Sequence, residues 1–170
     1  YYNTYLYGCW SGILFGHSSD RSCYISRQIP FSSIEAENYY FVKIMMKVTN
    51  NNEDKVVQGL TKGKISWIRT ADNTWNSDKE LEFDIIADNK WRLYTINMGP
   101  AADWVGYITN LRVYPFTDGR DGDEFAIKFI KIGSMNNYSC NNTQCSYYLQ
   151  YEHPCPGAGV RGSCEAGISK

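Results

Sequence analysis

Residues 125–132, which read FAIKFIKI, give the clearest indication of the fold. Apolar and other side chains alternate over most of this stretch, and Gly133 ends it, as in a β-strand with one buried face. Pro115 is predicted to end an earlier strand, because proline cannot donate to a β-ladder. Five earlier segments that are rich in β-branched and aromatic residues are predicted strands: residues 39–48, 64–69, 81–85, 91–96 and 107–114.

The predicted fold class is all-β, an antiparallel jelly-roll β-sandwich. Short strands separated by turn residues, with almost no segment of helical period, favour this architecture. The chain has 170 residues, which is enough for one main core and a small extension. Aromatic residues make up 15% of it, and these side chains suit a pleated, half-buried surface.

The composition changes after Ser134 to Asn, Ser, Gly, Pro and Cys. We therefore expect a sandwich over residues 1–134 and a cysteine-rich, disulfide-stabilised tail over residues 135–170, which has too few apolar residues to build its own core. Proximity favours a bridge between Cys9 and Cys23 and two bridges within the tail, although the sequence allows other connectivities. The tail cysteines are Cys140, Cys145, Cys155 and Cys164.

Several features predict an extracellular or cell-surface location. The six cysteines form no CxxC pair, so disulfides in an oxidising compartment are favoured over a zinc site. N-glycosylation sequons at Asn137 and Asn141 flank Cys140. The chain begins at Tyr1, so we expect a removed signal peptide or a segment of a longer polypeptide. No apolar stretch approaches the roughly 18 residues of a membrane span.

The charge pattern predicts no nucleic-acid partner. Lys and Arg total 17 against 18 Asp and Glu, and neither sign forms a long run. From the sequence alone, nothing electrostatic indicates a polyanionic partner.

The C-terminal half of the predicted sandwich resembles the closing strands of jelly-roll carbohydrate-binding modules, which occur in secreted glycoside hydrolases and surface proteins. Residues 91–98 read WRLYTINM, residues 104–116 read WVGYITNLRVYPF, and a final apolar strand follows within residues 122–132. The family has a strand that begins with Trp, then a W-x-G-x-I-x-x-L-R strand that runs into Pro. The resemblance, over about residues 80–133, implies a β-sandwich and a carbohydrate-binding-like role.

The resemblance does not imply a calcium site in this chain. Such modules often have an Asp in the last strand that helps bind a structural calcium, whereas Lys128 aligns with that position here. The tail has the general look of short epidermal-growth-factor-like repeats.

Aromatic residues provide the candidate glycan-binding positions. Sugar-binding β-sandwiches use an exposed ring on which the C–H face of a pyranose stacks, with polar groups to bind the hydroxyls. Trp75 lies in the polar segment 71–78 and is the leading candidate, with loop packing as the competing interpretation. Trp67 and Tyr94 are further candidates. For strand tryptophans such as Trp67, Trp91 and Trp104, core packing is the favoured interpretation.

An acidic turn is the one candidate for a metal. Calcium needs several oxygen ligands, and four carboxylates fall within seven residues. Their spacing does not match an EF-hand, and Asp-Gly is a preferred turn pair, so a solvated turn is favoured and no cofactor is predicted. The four residues are Asp118, Asp121, Asp123 and Glu124.

No catalytic residue is predicted. Glu80, Glu82 and Asp84 alternate with apolar residues and are expected to face water, and His17 and His153 are the only histidines. The expected function is a non-catalytic extracellular module that binds glycans. The alternative is a structural repeat subunit of a glycosylated extracellular fibre, coat or appendage, a homopolymer whose partners are copies of itself.

Overall fold

A computed structural model describes residues 4–10, 13–18, 23–29, 33–51, 61–133 and 146–149. Side chains are described for all of these except residues 4–10, 27–28 and 146–149.

The described chain is built from β-strands, with two short 3₁₀ turns at Ala36–Asn38 and Ser77–Lys79. Neither turn is long and apolar enough to cross a membrane. The strands are β1 (Thr4–Trp10), β2 (Ile13–Ser18), β3 (Cys23–Gln28), β4 (Ile34–Glu35), β5 (Phe41–Thr49), β6 (Lys62–Arg69), β7 (Glu80–Asp84), β8 (Arg92–Asn97), β9 (Tyr107–Phe116), β10 (Glu124–Gly133) and β11 (Ser146–Leu149).

The strands form two antiparallel sheets. Sheet A has the order β1-β2-β10-β5-β8, and β11 also pairs with β10. Sheet B has the order β3-β9-β6-β7, and β4 also pairs with β9. From β5 to β10 the chain passes repeatedly between the sheets, and the order β2-β10-β5-β8 facing β3-β9-β6-β7 is that of a jelly roll. The prediction of an all-β sandwich is therefore confirmed.

The core lies between the sheets, and the alternation of buried and less buried residues that produces it is clearest in β5. In β5 the buried positions are Val42, Ile44, Met46 and Val48, while the intervening residues are only half-buried. A period of two is what a strand with one inward face requires. Residues on the other faces of both sheets are therefore available for function.

Two tryptophans pack against each other at the centre of this core. Trp67 of β6 and Trp104 have ring centroids 5.3 Å apart in an edge-to-face arrangement, a geometry that aromatic pairs favour. The Trp67 indole N–H donates to the carbonyl of Asp103 at 2.9 Å, and the Trp104 indole N–H donates to the carbonyl of Tyr39 at 2.9 Å. Both indoles are thus buried without leaving a donor unpaired.

The structure differs from the predicted strands in several places. Strand β9 continues through Pro115 to Phe116, because Pro115 lies where the β3–β9 register shifts and its missing N–H is not needed. Strands β1, β2, β3 and β4 were not predicted. In addition, β11 falls within the segment predicted as a tail and pairs with β10 of sheet A.

Replacing Trp67 by Ala will lower the free energy of unfolding by about 3–5 kcal/mol, because the substitution opens a cavity at the centre of the core. Urea denaturation of the two proteins measures this loss. Ile86→Ala is the control, since Ile86 is 53% exposed and its truncation should cost less than about 0.5 kcal/mol. Equal, small losses for both variants would contradict the core assignment.

Candidate functional site

The outer face of sheet B brings aromatic and charged residues into neighbouring rows. In the β6–β9 pairing, Lys64 lies opposite Tyr114 and Ser66 lies opposite Arg112. Alternation makes these outward positions, because the inward partners are Ile65 and Trp67.

Stacked rings and cations cover this face. The Arg112 guanidinium lies 3.8 Å from the centroid of the Trp75 ring and 4.3 Å from that of Tyr24, so it contacts both rings. The rings of Tyr24 and Tyr114 are 5.2 Å apart, and the Lys64 ammonium lies 4.5 Å from the Tyr114 ring. We name these five residues the Trp75 ridge.

Trp75 belongs to a loop, residues 70–79, that charges hold in place. Asp72 accepts hydrogen bonds from Arg69 at 2.7 and 3.0 Å through one carboxylate oxygen, and its other oxygen is 2.7 Å from the Lys79 ammonium. Lys79 is only 1% exposed, and its ammonium also donates to the carbonyl of Thr74. The Asn76 side chain accepts from the backbone N–H of Lys79 at 3.2 Å. The contacts of the buried Lys79 therefore stabilise the position of the loop.

The same charges connect the loop to the core. Arg69 reaches Asp103 at 2.9 Å, and the carbonyl of Asp103 accepts from the Trp67 indole. Trp75 is thus joined through Asp72 and Arg69 to the central tryptophan pair. This arrangement limits the positions that the exposed part of the Trp75 ring can take.

Contacts within the loop shift the pKa values of Asp72 and Arg69 in the direction that keeps both groups ionised. Hydrogen bonds from Lys79 and then Arg69 hold the pKa of Asp72 well below its usual range. The hydrogen bond to Asp72 raises the pKa of Arg69. Both groups therefore remain charged at neutral pH.

Two polar atoms beneath the ridge are not satisfied within the protein. The hydroxyl of Ser66 and the Nε of Arg112 are buried and have no hydrogen-bond partner in the described structure. The two residues lie directly opposite each other on β6 and β9. Both atoms are shielded from solvent, so a ligand on the outer surface would not contact them directly.

The predicted ligand residues do not lie together. Trp75 is half-buried on the ridge. Trp67 has no exposed surface, so the structure removes it from the candidate set, because a fully buried ring offers no face to a sugar. Tyr94 lies in sheet A, with its ring 5.8 Å from that of Phe83 and its hydroxyl accepting from the N–H of Ile86 at 3.2 Å. Tyr94 therefore belongs to the packing at the edge of the sandwich.

Carboxylates of the acidic turn accept hydrogen bonds from the chain itself. Asp123 is buried, and its oxygens accept from the backbone N–H groups of Asn51 at 3.0 Å and Arg120 at 2.7 Å. Asp118 accepts from the N–H and hydroxyl of Thr61 at 3.3 Å. No three or more Asp, Glu, His or Cys side chains in the described ranges are placed to share a metal ion. The candidate calcium turn of Asp118, Asp121, Asp123 and Glu124 therefore stays a prediction.

The predicted covalent modifications remain predictions. Cys23 is buried at 1% exposure in β3. The side chain of Cys9 lies outside the described residues, as do all the other positions concerned. These are Cys140, Cys145, Cys155, Cys164, Asn137 and Asn141.

Sequence reasoning missed Arg112 and Tyr24 as site residues. Arg112 and Tyr114 are two apart in a predicted strand, so alternation places both on one face. The position of Trp75 over Arg112 depends on the return of the loop across the sheet, which periodicity does not encode.

Among known proteins, similarity to this chain is found in solved structures. No family model matches the chain, and no curated protein matches it. A low-affinity xylan-binding module, CBM86, from the gut symbiont Roseburia intestinalis is 12% identical, with 75% of this chain and 80% of that chain covered and a TM-score of 0.47. This degree of likeness assigns neither a family nor a ligand to the chain.

Replacing Asp72 by Asn will lower the melting temperature at pH 7, because buried Lys79 loses its neutralising partner. The pKa of Asp72 is lowered by folding, so its stabilising effect is present above the unfolded pKa of about 3.9 and is lost as the pH falls below it. The difference between wild type and Asp72→Asn should therefore shrink between pH 4 and pH 2.

Thermal unfolding at pH 7, 4 and 2 tests this expectation. Asp78→Asn is the matched control, because Asp78 is exposed on the same loop. A difference that stays constant with pH would contradict the role given to the Asp72 carboxylate.

Proposed function

We propose that the chain is a non-catalytic, carbohydrate-binding-like module that holds a glycan at the Trp75 ridge. One observation carries the proposal: a partly exposed indole sits on a loop that the buried Lys79 and its Asp72–Arg69 partners fix in place. A pre-positioned ring binds a ligand without first losing conformational freedom. Its apolar face suits the C–H face of a pyranose, and Arg112 and Lys64 lie nearby to bind hydroxyls.

The absence of a catalytic role is part of the proposal. Glycoside cleavage commonly uses two carboxyl groups across the bond, one of them a general acid. On β7, Glu80 is 2.9 Å from the Lys64 ammonium, and Asp84 is 2.6 Å from that of Lys62. Two of the three carboxylates of β7 are therefore engaged in ion pairs, which favours binding over hydrolysis.

An extracellular or cell-surface location is proposed together with this function. It is supported by the pattern of six cysteines and by the sequons at Asn137 and Asn141. Non-reducing peptide mapping that found all six cysteines as free thiols would contradict the location.

A second candidate function is the repeat subunit of an extracellular fibre, coat or appendage. Strands β7 and β8 end sheet B and sheet A, and neither has an outer neighbour among the described strands. Open edges of this kind can pair with a strand of another copy. Electron microscopy of the purified chain distinguishes the two candidates: ordered filaments without glycan binding would favour the repeat subunit, and dispersed particles that bind glycan would favour the module.

Replacing Trp75 by Ala will weaken glycan binding by about tenfold or more, because stacking on the indole is lost. A glycan-array screen of the wild-type chain selects the strongest neutral glycan, and calorimetry with that glycan compares the variants. Tyr107→Ala is the control, since Tyr107 is an exposed aromatic residue outside the ridge, at 54% exposure. Unchanged binding by Trp75→Ala, or an equal loss in the control, would contradict the site.

A further inference from the structure

The outer face of sheet A gathers lysines that are far apart in the sequence. Lys43 of β5 lies directly opposite Lys131 of β10. Farther along the same face, the ammonium groups of Lys47 and Lys128 lie 5.8 and 4.7 Å from the ring of Trp91. Lys128 reaches this position because the β5–β10 register shifts between Ile127 and Phe129, which adds a residue on β10.

Positive charges gathered on one face repel one another, so such a face is more favourable when counter-charges are present. Within the described structure, Lys43, Lys47 and Lys128 take part in no ion pair. Two lysines of sheet B are neutralised, in contrast, since Lys62 pairs with Asp84 at 2.6 Å and Lys64 with Glu80 at 2.9 Å.

The lysines give the face a local positive charge. Among the described outward side chains of β2, β5, β8 and β10, the only carboxylate is Glu124, although the whole chain has a net charge of −1. The charges of Lys43, Lys47 and Lys128 attract a partner of the opposite sign.

An apolar row separates the two lysine pairs. Met45 lies opposite Phe129 on one side and Leu93 on the other, and Leu93 is 52% exposed. Lys43 and Lys47 are four residues apart in β5, which places them about 13 Å apart along the strand. Along β5, the face therefore has cations on both sides of an apolar band.

We propose that this face, which we name the lysine face, binds an acidic polysaccharide. The carboxylate or sulfate groups of such a polymer recur along an extended chain and would contact Lys43 at one end of the face and Lys47 and Lys128 at the other. The C–H faces of the intervening sugar rings would cover the apolar side chains of Leu93 and Met45. The lysine face is separate from the Trp75 ridge, which lies on the opposite sheet, so the inference does not depend on the proposed function.

The chemistry of the face favours a polysaccharide over a nucleic acid. Its described cations are all lysines, whereas arginine is the residue that binds phosphate in a bidentate manner. Ammonium groups already lie over its rings: Lys128 is 4.7 Å from the Trp91 ring and Lys131 is 4.5 Å from the Phe129 ring. Nucleobases would need those ring faces for stacking, whereas acidic sugars use the ammonium groups themselves.

The test measures binding of the full chain to polygalacturonate and to its fully methyl-esterified, uncharged form. The double variant Lys43→Gln/Lys128→Gln removes one cation from each lysine pair. The control, Lys62→Gln/Arg120→Gln, removes the same charge from exposed positions outside the face. We expect binding to polygalacturonate but not to the ester, about tenfold weaker for the lysine-face variant, within about twofold of wild type for the control, and weaker at higher salt.

Other outcomes would overturn the proposal. One is no binding at low salt, and another is an equal loss in the control, which would reflect net charge alone. Tighter binding to single-stranded DNA than to polygalacturonate, with the same dependence on Lys43 and Lys128, would assign the face to nucleic acid. Self-association in sedimentation that the lysine-face variant abolishes would assign it to a second copy of the chain. Trp75→Ala should leave polygalacturonate binding unchanged, which separates this result from failure at the ridge.

Discussion

The antiparallel register between β5 and β10 is the constraint on which the rest of the structure depends. It runs from Glu124 opposite Thr49 to Gly133 opposite Phe41, so alternate residues of both strands enter the core together. A slip of one residue would turn Val42, Ile44 and Met46 outward, which the burial of apolar surface strongly opposes. The same register aligns the lysines on the outside, so the core and the lysine face have one common origin.

A second constraint is the burial of Lys79. A nearly inaccessible ammonium is tolerated only with a close counter-charge, and Asp72 supplies it while also binding Arg69. Loop 70–79 is consequently tied to the sheet, and Trp75 rests on Arg112 as a result. The conformation of an exposed polar loop is thus set by a charge network beneath it, a stability feature that also positions the candidate binding ring.

A strand can be predicted from the sequence only where the pattern of its apolar residues is clear. Strand β10 is evident from alternation, and β5 from its content of β-branched and aromatic residues. In β2 the inward positions are Leu14, Gly16 and Ser18, so no apolar period is visible and the strand escapes prediction. For the candidate site, Trp75 is predictable as an aromatic residue in a polar loop. The stacking of Trp75 on Arg112 depends on the path of loop 70–79, and the pairing of Lys43 with Lys131 depends on the register of β5 and β10. Short-range sequence patterns contain neither.

The most direct test of the central claim, that the chain holds a glycan at the Trp75 ridge, is a titration followed by NMR of the tryptophan indole N–H groups. The chain has five tryptophans, each assignable by substitution. With a panel of neutral cello-, xylo-, manno- and galacto-oligosaccharides, we expect one of them to shift the Trp75 signal while the buried Trp67 and Trp104 signals stay in place. Shifts confined to Trp91, or none at Trp75 with any glycan, would contradict it.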